Sequence, residues 1–175
     1  MPIAIVEVLG ASATIDADVA NATEIWEREC GVFIDVVARV QVNRPQLLIL
    51  AQNDCTGAGH VVSAEEDALF AIGRTLGTAV VGYYISGDVA GFAGCAAHPP
   101  GRRGFWVGDA ASPWTFGHEL THVVGRNAHV GDSDNLMSTP TASITNPPPD
   151  LEPDQTSRIL NDAALLCVSS IVLNL

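Results

Sequence analysis

The stretch Ser112-Pro113-Trp114-Thr115-Phe116-Gly117-His118-Glu119-Leu120-Thr121-His122-Val123-Val124-Gly125 decides how this chain is read. Ser112 is a favourable N-cap and Pro113 suits the first helical position, so a helix is expected from there to about Val124. Gly125 supplies a left-handed stop. At about 100° per residue, His122 lies roughly 40° from His118, so the two imidazoles share one face a turn apart. Phe116, Leu120, Val123 and Val124 fall at roughly 140–240° on the same count. One face therefore packs into a core and the other looks into a cleft. Had the histidines shared the apolar stripe, buried structural imidazoles would be the better reading. His118, Glu119 and His122 form the pattern HExxH. Its two histidines can hold one zinc ion, and its glutamate can reach a zinc-activated water as general base without being a ligand.

The chain after Gly125 can turn back toward that face, and His129 arrives just beyond the turn as a candidate third ligand. Asp132 and Asp134 are the alternatives, since carboxylates also bind zinc. This run, with Asp134-Asn135-Leu136-Met137 after it, resembles the metzincin clan of zinc peptidases. That clan carries HExxHxxGxxH and then a tight turn with a methionine beneath the metal, the Met-turn. The resemblance implies that His118, His122 and His129 bind zinc and that Met137 is a hydrophobic floor. It also implies a substrate lying extended along an edge strand at Gly91 to Ala96, and a pocket wall around Pro140 to Ile144. Two positions depart from the clan pattern. The third histidine would fall on Ala128, and here it comes one residue late; a tyrosine that some members carry two residues after the methionine is replaced by Thr139. A gluzincin-like site would need a glutamate ligand on a later helix, and Glu152, beside prolines, has no supporting motif.

The rest of the chain supplies a domain around that helix. Residues 3–9 read as a mostly buried strand, and Thr14 to Cys30 as a helix with Val19, Ala22, Ile25 and Trp26 at helical spacing and Gly31 as its stop. Strands are expected at Val32 to Val42, Leu47 to Leu50 and Thr78 to Ile85, a weak edge strand at 91–97, and a short strand at Phe105 to Val107. Ser63 with Glu66 forms a capping-box pattern, opening a helix to about Leu76. Asn53 to Gly59 and residues 126–150 read as loops. A last helix should cover Pro153 to Val168. The expected fold is α+β and metzincin-like: a twisted mixed β-sheet with an active-site helix and a small C-terminal subdomain ending in a helix. Residues 1–175 form one catalytic domain, about 1–125 as the upper subdomain and about 126–175 as the lower.

Bulk composition agrees. A 47% hydrophobic, 16% charged chain of 175 residues can bury a core and is not disordered. Acidic residues outnumber basic ones 20 to 8, for a formal charge of −12, which excludes a phosphate-backbone partner. No apolar run approaches the ~20 residues of a membrane span. Met1 to Gly10 has no basic n-region and is not a signal peptide, so the chain stays where it is made or is a mature form. Cys30, Cys55, Cys95 and Cys167 fit no CxxC metal pattern; an even count in a lysine-poor chain points to two disulfides of open connectivity and to an exported protein. His60 and His98 are expected on surface loops and Trp26 and Trp106 in the core. Arg102 and Arg103 are expected in a solvated loop, with substrate contact as the sharper option, while Asp54 and Asp88 are candidates for a structural calcium.

The function expected is a zinc-dependent endopeptidase acting as a monomer on protein or peptide substrates. The alternatives are a non-catalytic zinc-binding module of the same fold and a zinc hydrolase of a non-peptide bond. The intact Glu119 argues against the module, which needs no base.

Overall fold

The computed structural model describes residues 1–52, 55 and 62–172, with side chains described as far as Leu166. Its centre is β1 (Pro2–Val8), whose Ile3 to Val6 are wholly buried. A strand apolar on both faces needs cover on both, and parallel sheets provide it through crossover helices. β1 pairs in parallel with β2 (Asp35–Val42) and with β4 (Val80–Tyr84), and β4 pairs in parallel with β7 (Arg103–Val107). The short β6 (Gly94–Cys95) closes the sheet antiparallel to β7, Gly94 opposite Val107 and Cys95 opposite Trp106. The order β2-β1-β4-β7-β6 is therefore a mixed sheet, parallel except at the edge strand. β3 (Ile49–Leu50) and β5 (Gly87–Asp88) form a separate two-stranded ladder.

Among the described residues four α-helices accompany the sheet: α1 (Ile15–Cys30), α2 (Ala64–Ile72), α3 (Thr115–Val123) and α4 (Pro153–Val172). One core joins Ile5 and Phe105 of the sheet to Ile25 and Trp26 of α1, Phe116 of α3 and Ile159 of α4. A second, holding Val6 and Trp106, packs Leu69 and Phe70 of α2. So α1, α3 and α4 are associated with one core and α2 with the other. Both expected core tryptophans are fully buried. Among the described residues no helix is long and apolar enough to cross a membrane.

The local signals mostly act as expected. Gly31 ends α1 at φ 66°, and Ser63 and Glu66 make the reciprocal capping box. Several boundaries move: Leu47, expected in a strand with Leu50, instead ends a 3-10 turn that begins at Pro45, and the strand is confined to Ile49–Leu50. β2 begins at Asp35 rather than Val32. α2 stops at Ile72 and a 3-10 turn over Gly73–Thr75 takes over, with Gly73 packed against the Tyr83 hydroxyl and Val81 so closely that a side chain would not fit. α3 begins at Thr115, not Pro113, since Ser112 does not cap it. The Ser112 hydroxyl accepts the Trp114 N–H at 3.3 Å, one residue before the helix, and donates to Thr141 Oγ1 at 2.9 Å, and Thr115 Oγ1 lies 2.9 Å from the same oxygen.

Cys55 and Cys95 form a disulfide across 40 residues, tying the segment before α2 to β6. Cys30 is a free thiol whose pKa burial raises to about 11, and the side chain of Cys167 lies outside the described residues. His98 corrects the expectation of a surface position: it is 7% exposed, with Nδ1 3.1 Å from the Pro99 carbonyl, and burial lowers its pKa. His60 and Asp54 lie outside the described residues.

Candidate metal centre and its cleft

α3 lies against the sheet through Phe116, which stacks edge-on to Phe105 of β7 with ring centroids 5.0 Å apart. Trp26 of α1 donates its indole N–H to Thr121 Oγ1 at 3.1 Å from the other side. These contacts fix the rotation of α3 about its axis, and with it the direction of His118 and His122. The helix then ends in a left-handed turn, Gly125 at φ 90° and Arg126 at φ 51°. That turn reverses the chain, and His129 comes back over the two helical histidines.

The three imidazoles meet through one nitrogen each. His118 Nε2 lies 3.1 Å from His122 Nε2 and 3.2 Å from His129 Nε2, and the third separation is 3.0 Å. They are the group of potential metal ligands found among the described residues. A tetrahedral zinc with Zn–N of about 2.0–2.1 Å holds its ligand nitrogens roughly 3.3 Å apart, close to this spacing. The opposite ring nitrogens show which tautomer is present. His118 Nδ1 is 2.8 Å from the Leu136 carbonyl, and His122 Nδ1 is 2.5 Å from the Asn127 carbonyl. A carbonyl only accepts, so each Nδ1 carries the proton and each Nε2 turns a lone pair inward. Burial and the neighbouring imidazoles push the pKa of His118 down to about 3, and burial takes His122 to about 4. Two inward lone pairs on neutral rings, with the His129 Nε2 converging on them, suit a cation, and the donor set fits zinc.

The carbonyls that orient these rings are themselves held. Asn135 Oδ1 accepts from the Met137 N–H at 2.8 Å, forming the turn that presents the Leu136 carbonyl to His118. Gln155, in the first turn of α4, exchanges amide hydrogen bonds with Asn135 at 3.0 and 3.2 Å. The Gln155 carbonyl accepts from Asn127 Nδ2 at 3.5 Å, steadying the residue whose own carbonyl meets His122. Met137 is fully buried under this turn. Asn135 and Gln155 were not singled out in the sequence; polar residues flanking an HExxH segment carry no signal without the tertiary contact.

Glu119 is 7% exposed and faces the cleft. Among the described residues nothing donates a hydrogen bond to its carboxylate, and burial raises its pKa to about 8. The cleft, about 820 Å³, is lined by Glu119, His122 and His129, by Phe92 to Gly94 on the edge-strand side and by Thr139 to Thr141 on the other.

The remaining candidates fall outside this constellation. Asp132 Oδ1 accepts from the Asp134 N–H and Asp134 Oδ1 from Thr145 Oγ1, so both carboxylates serve their own loop. Glu152 is exposed at the start of α4. Arg102 pairs with Asp67, and Arg103 pairs with Asp162 at 2.7 Å; neither lines the cleft. Asp88 Oδ1 accepts from the Gly91 and Phe92 N–H groups at 2.8 Å, a loop-capping role.

The sequence matches no protein-family model and no curated protein. Solved structures do match. Metalloproteinase-II from Bacteroides fragilis superposes with a TM-score of 0.58 at 16% identity, over 92% of this chain and 52% of its own, so this chain spans about half its length. Archaemetzincin from Methanopyrus kandleri superposes with a TM-score of 0.55 at 16% identity, over 94% of this chain and 96% of its own. At this identity the likeness is one of fold: the chain has the fold of metallopeptidase structures.

Proposed function

We propose that this protein is a zinc-dependent endopeptidase of metzincin type, acting as an exported monomer on protein or peptide substrates. The observation that carries the reading is the convergence of three imidazole Nε2 atoms within 3.0–3.2 Å of one another, beside a buried carboxylate on the helix that carries two of them. His118, His122 and His129 would hold the zinc, with the turn at Met137 as the Met-turn. Residues 1–125 and 126–175 would form the upper and lower subdomains. Bound zinc would polarise the scissile carbonyl and acidify a water.

The chain's own residues account for the rest. Glu119, whose carboxylate accepts no hydrogen bond among the described residues, takes the water's proton and hands it to the leaving amine. A base with a pKa near the working pH both accepts and releases a proton readily, and burial moves Glu119 in that direction. The outer edge of β6 offers backbone groups to an extended peptide, which fixes the scissile bond over the histidines. A zinc-binding module without catalysis needs neither the open cleft nor a carboxylate buried within it.

Zinc stoichiometry and casein cleavage test this together. The wild type should bind one zinc and cleave. Glu119→Gln should keep the zinc with turnover lowered about 10²- to 10⁴-fold. His129→Ala should lose both metal and activity. A zinc-loaded Glu119→Gln protein with near wild-type turnover would remove Glu119 from the mechanism. A His129→Ala protein that keeps its zinc would remove the third ligand.

A further inference from the structure

The cleft contains one feature that hydrolysis does not call for. Its wall is largely apolar, built from residues such as Phe92, Ala93, Ala96, Ala128 and Pro140, yet Arg126 also lines it. We infer, on the peptidase reading, that Arg126 sets substrate preference by binding a carboxylate of the peptide, from an Asp or Glu side chain or from the chain terminus.

Three observations converge on Arg126. All eight basic residues of the chain are arginines, and Arg28, Arg39, Arg102, Arg103 and Arg158 are engaged with carboxylates of the protein itself. Among the described residues no ion pair joins Arg44, Arg74 or Arg126 to a carboxylate, and of these Arg126 alone lines the cleft. Its backbone stands at φ 51°, in the left-handed region where glycine or asparagine is the unstrained choice. A non-glycine residue held there beside a ligand site points toward function. Chemistry names the ligand. The guanidinium presents a rigid planar fork that matches both oxygens of a carboxylate, and Arg126 is exposed enough for a peptide to reach it. The charge of −12 repels anionic substrates in general, so one unpaired cation in the cleft gives a carboxylate a single favoured position.

The test uses zinc-loaded wild type and Arg126→Gln, with zinc content and Tm measured on both. Quenched-fluorescence peptides carry Glu or Gln at each position around the scissile bond, with a free or an amidated C-terminus. For wild type, the acidic peptide should be favoured about tenfold in kcat/KM at one position, through KM, and the preference should shrink as salt rises. Arg126→Gln should erase that preference, bringing the ratio of kcat/KM for acidic over neutral peptides to about one. Loss of the preference on amidation assigns the carboxylate to the chain terminus; loss on Glu→Gln replacement assigns it to a side chain. A wild type that cleaves acidic and neutral peptides equally well overturns the inference and leaves the peptidase reading intact. If no peptide is cleaved, the peptidase reading fails, and binding of the same peptides by fluorescence anisotropy decides separately. Equal binding of Glu and Gln peptides then overturns the role of Arg126.

Discussion

Glu119 Oε1 lies 2.9 Å from the point where a Cβ on Gly94 would stand, so the edge strand is pressed directly onto the candidate base. The Glu119 Cγ is equally close, and Thr115 Cγ2 is nearer still at 2.8 Å. Only a residue without a side chain lets β6 approach α3 this closely. Gly94→Ala should therefore push either Glu119 or the edge strand aside. A misplacement of about 1 Å costs on the order of 100-fold in rate. We expect Gly94→Ala to keep one zinc and lose roughly 10- to 100-fold in kcat/KM. Unchanged kinetics with full zinc loading would mean that neither the base nor the strand acts where the fold puts it.

The amide pair Asn135–Gln155 should govern metal affinity from a distance. Neither side chain meets a histidine, but their amide pair holds the turn whose Leu136 carbonyl orients His118, while Asn127 is held by the Gln155 main-chain carbonyl, which a substitution at Gln155 keeps. Gln155→Ala leaves the buried Asn135 amide short of a partner, at about 1–3 kcal/mol of stability. Loss of such outer-shell support lowers metal affinity about 10- to 100-fold. Chelator competition on Gln155→Ala should show this, and a variant with lowered Tm but wild-type zinc affinity would confine Gln155 to a packing role.

Metal-free protein should have a stability maximum near neutral pH, with opposite causes on its two sides. His118 and His122 have folded pKa values of about 3 and about 4, below their ordinary 6.5. Between those limits the unfolded chain binds more protons, so their contribution is present above pH 6.5 and lost as pH falls toward 4 and 3. Glu119 runs the other way. Its folded value of about 8 exceeds the ordinary 4.5, so its contribution is present below pH 4.5 and lost as pH rises through 8. Thermal melts in EDTA should show both limbs, and Glu119→Gln should flatten the decline between pH 6.5 and 8. An identical decline in that variant would assign the alkaline limb to another group.

The parts of this site legible in the sequence are those that local periodicity encodes. His118, Glu119 and His122 are separated by helical spacing, and the apolar residues opposite them face the core. Gly125 reads as a turn because the left-handed region favours glycine, and the turn it starts brings in His129 despite the extra residue. What was not legible depends on partners far along the chain. Ser112 looks like a cap, but its hydroxyl meets Thr141, 29 residues away. His98 looks like a loop residue, yet the fold buries it. Arg102 and Arg103 look available because Asp67 and Asp162 are invisible as partners until the fold brings them near. Arg126, unpaired and in the cleft, could not be told apart from them.

The disulfide should matter to stability and to the cleft at once. Cys55 lines the cleft, and Cys95 follows Gly94 in the two-residue edge strand, which has only β7 as a sheet neighbour. So short a strand has few ladder hydrogen bonds to hold it, and the cross-link to Cys55 gives it a second anchor. Closing a loop of 40 residues restricts the unfolded chain by about 4 kcal/mol in the chain-entropy view. Cys95→Ser with Cys55→Ser should lower stability by roughly 2–4 kcal/mol in urea melts of the folded, zinc-loaded protein. If the bridge also positions the edge strand, KM for extended peptides should rise more than kcat falls, because peptide binding is what the strand supplies. A double variant with wild-type KM and only a lowered urea midpoint would separate the two effects and leave the bridge as a restraint on unfolding alone.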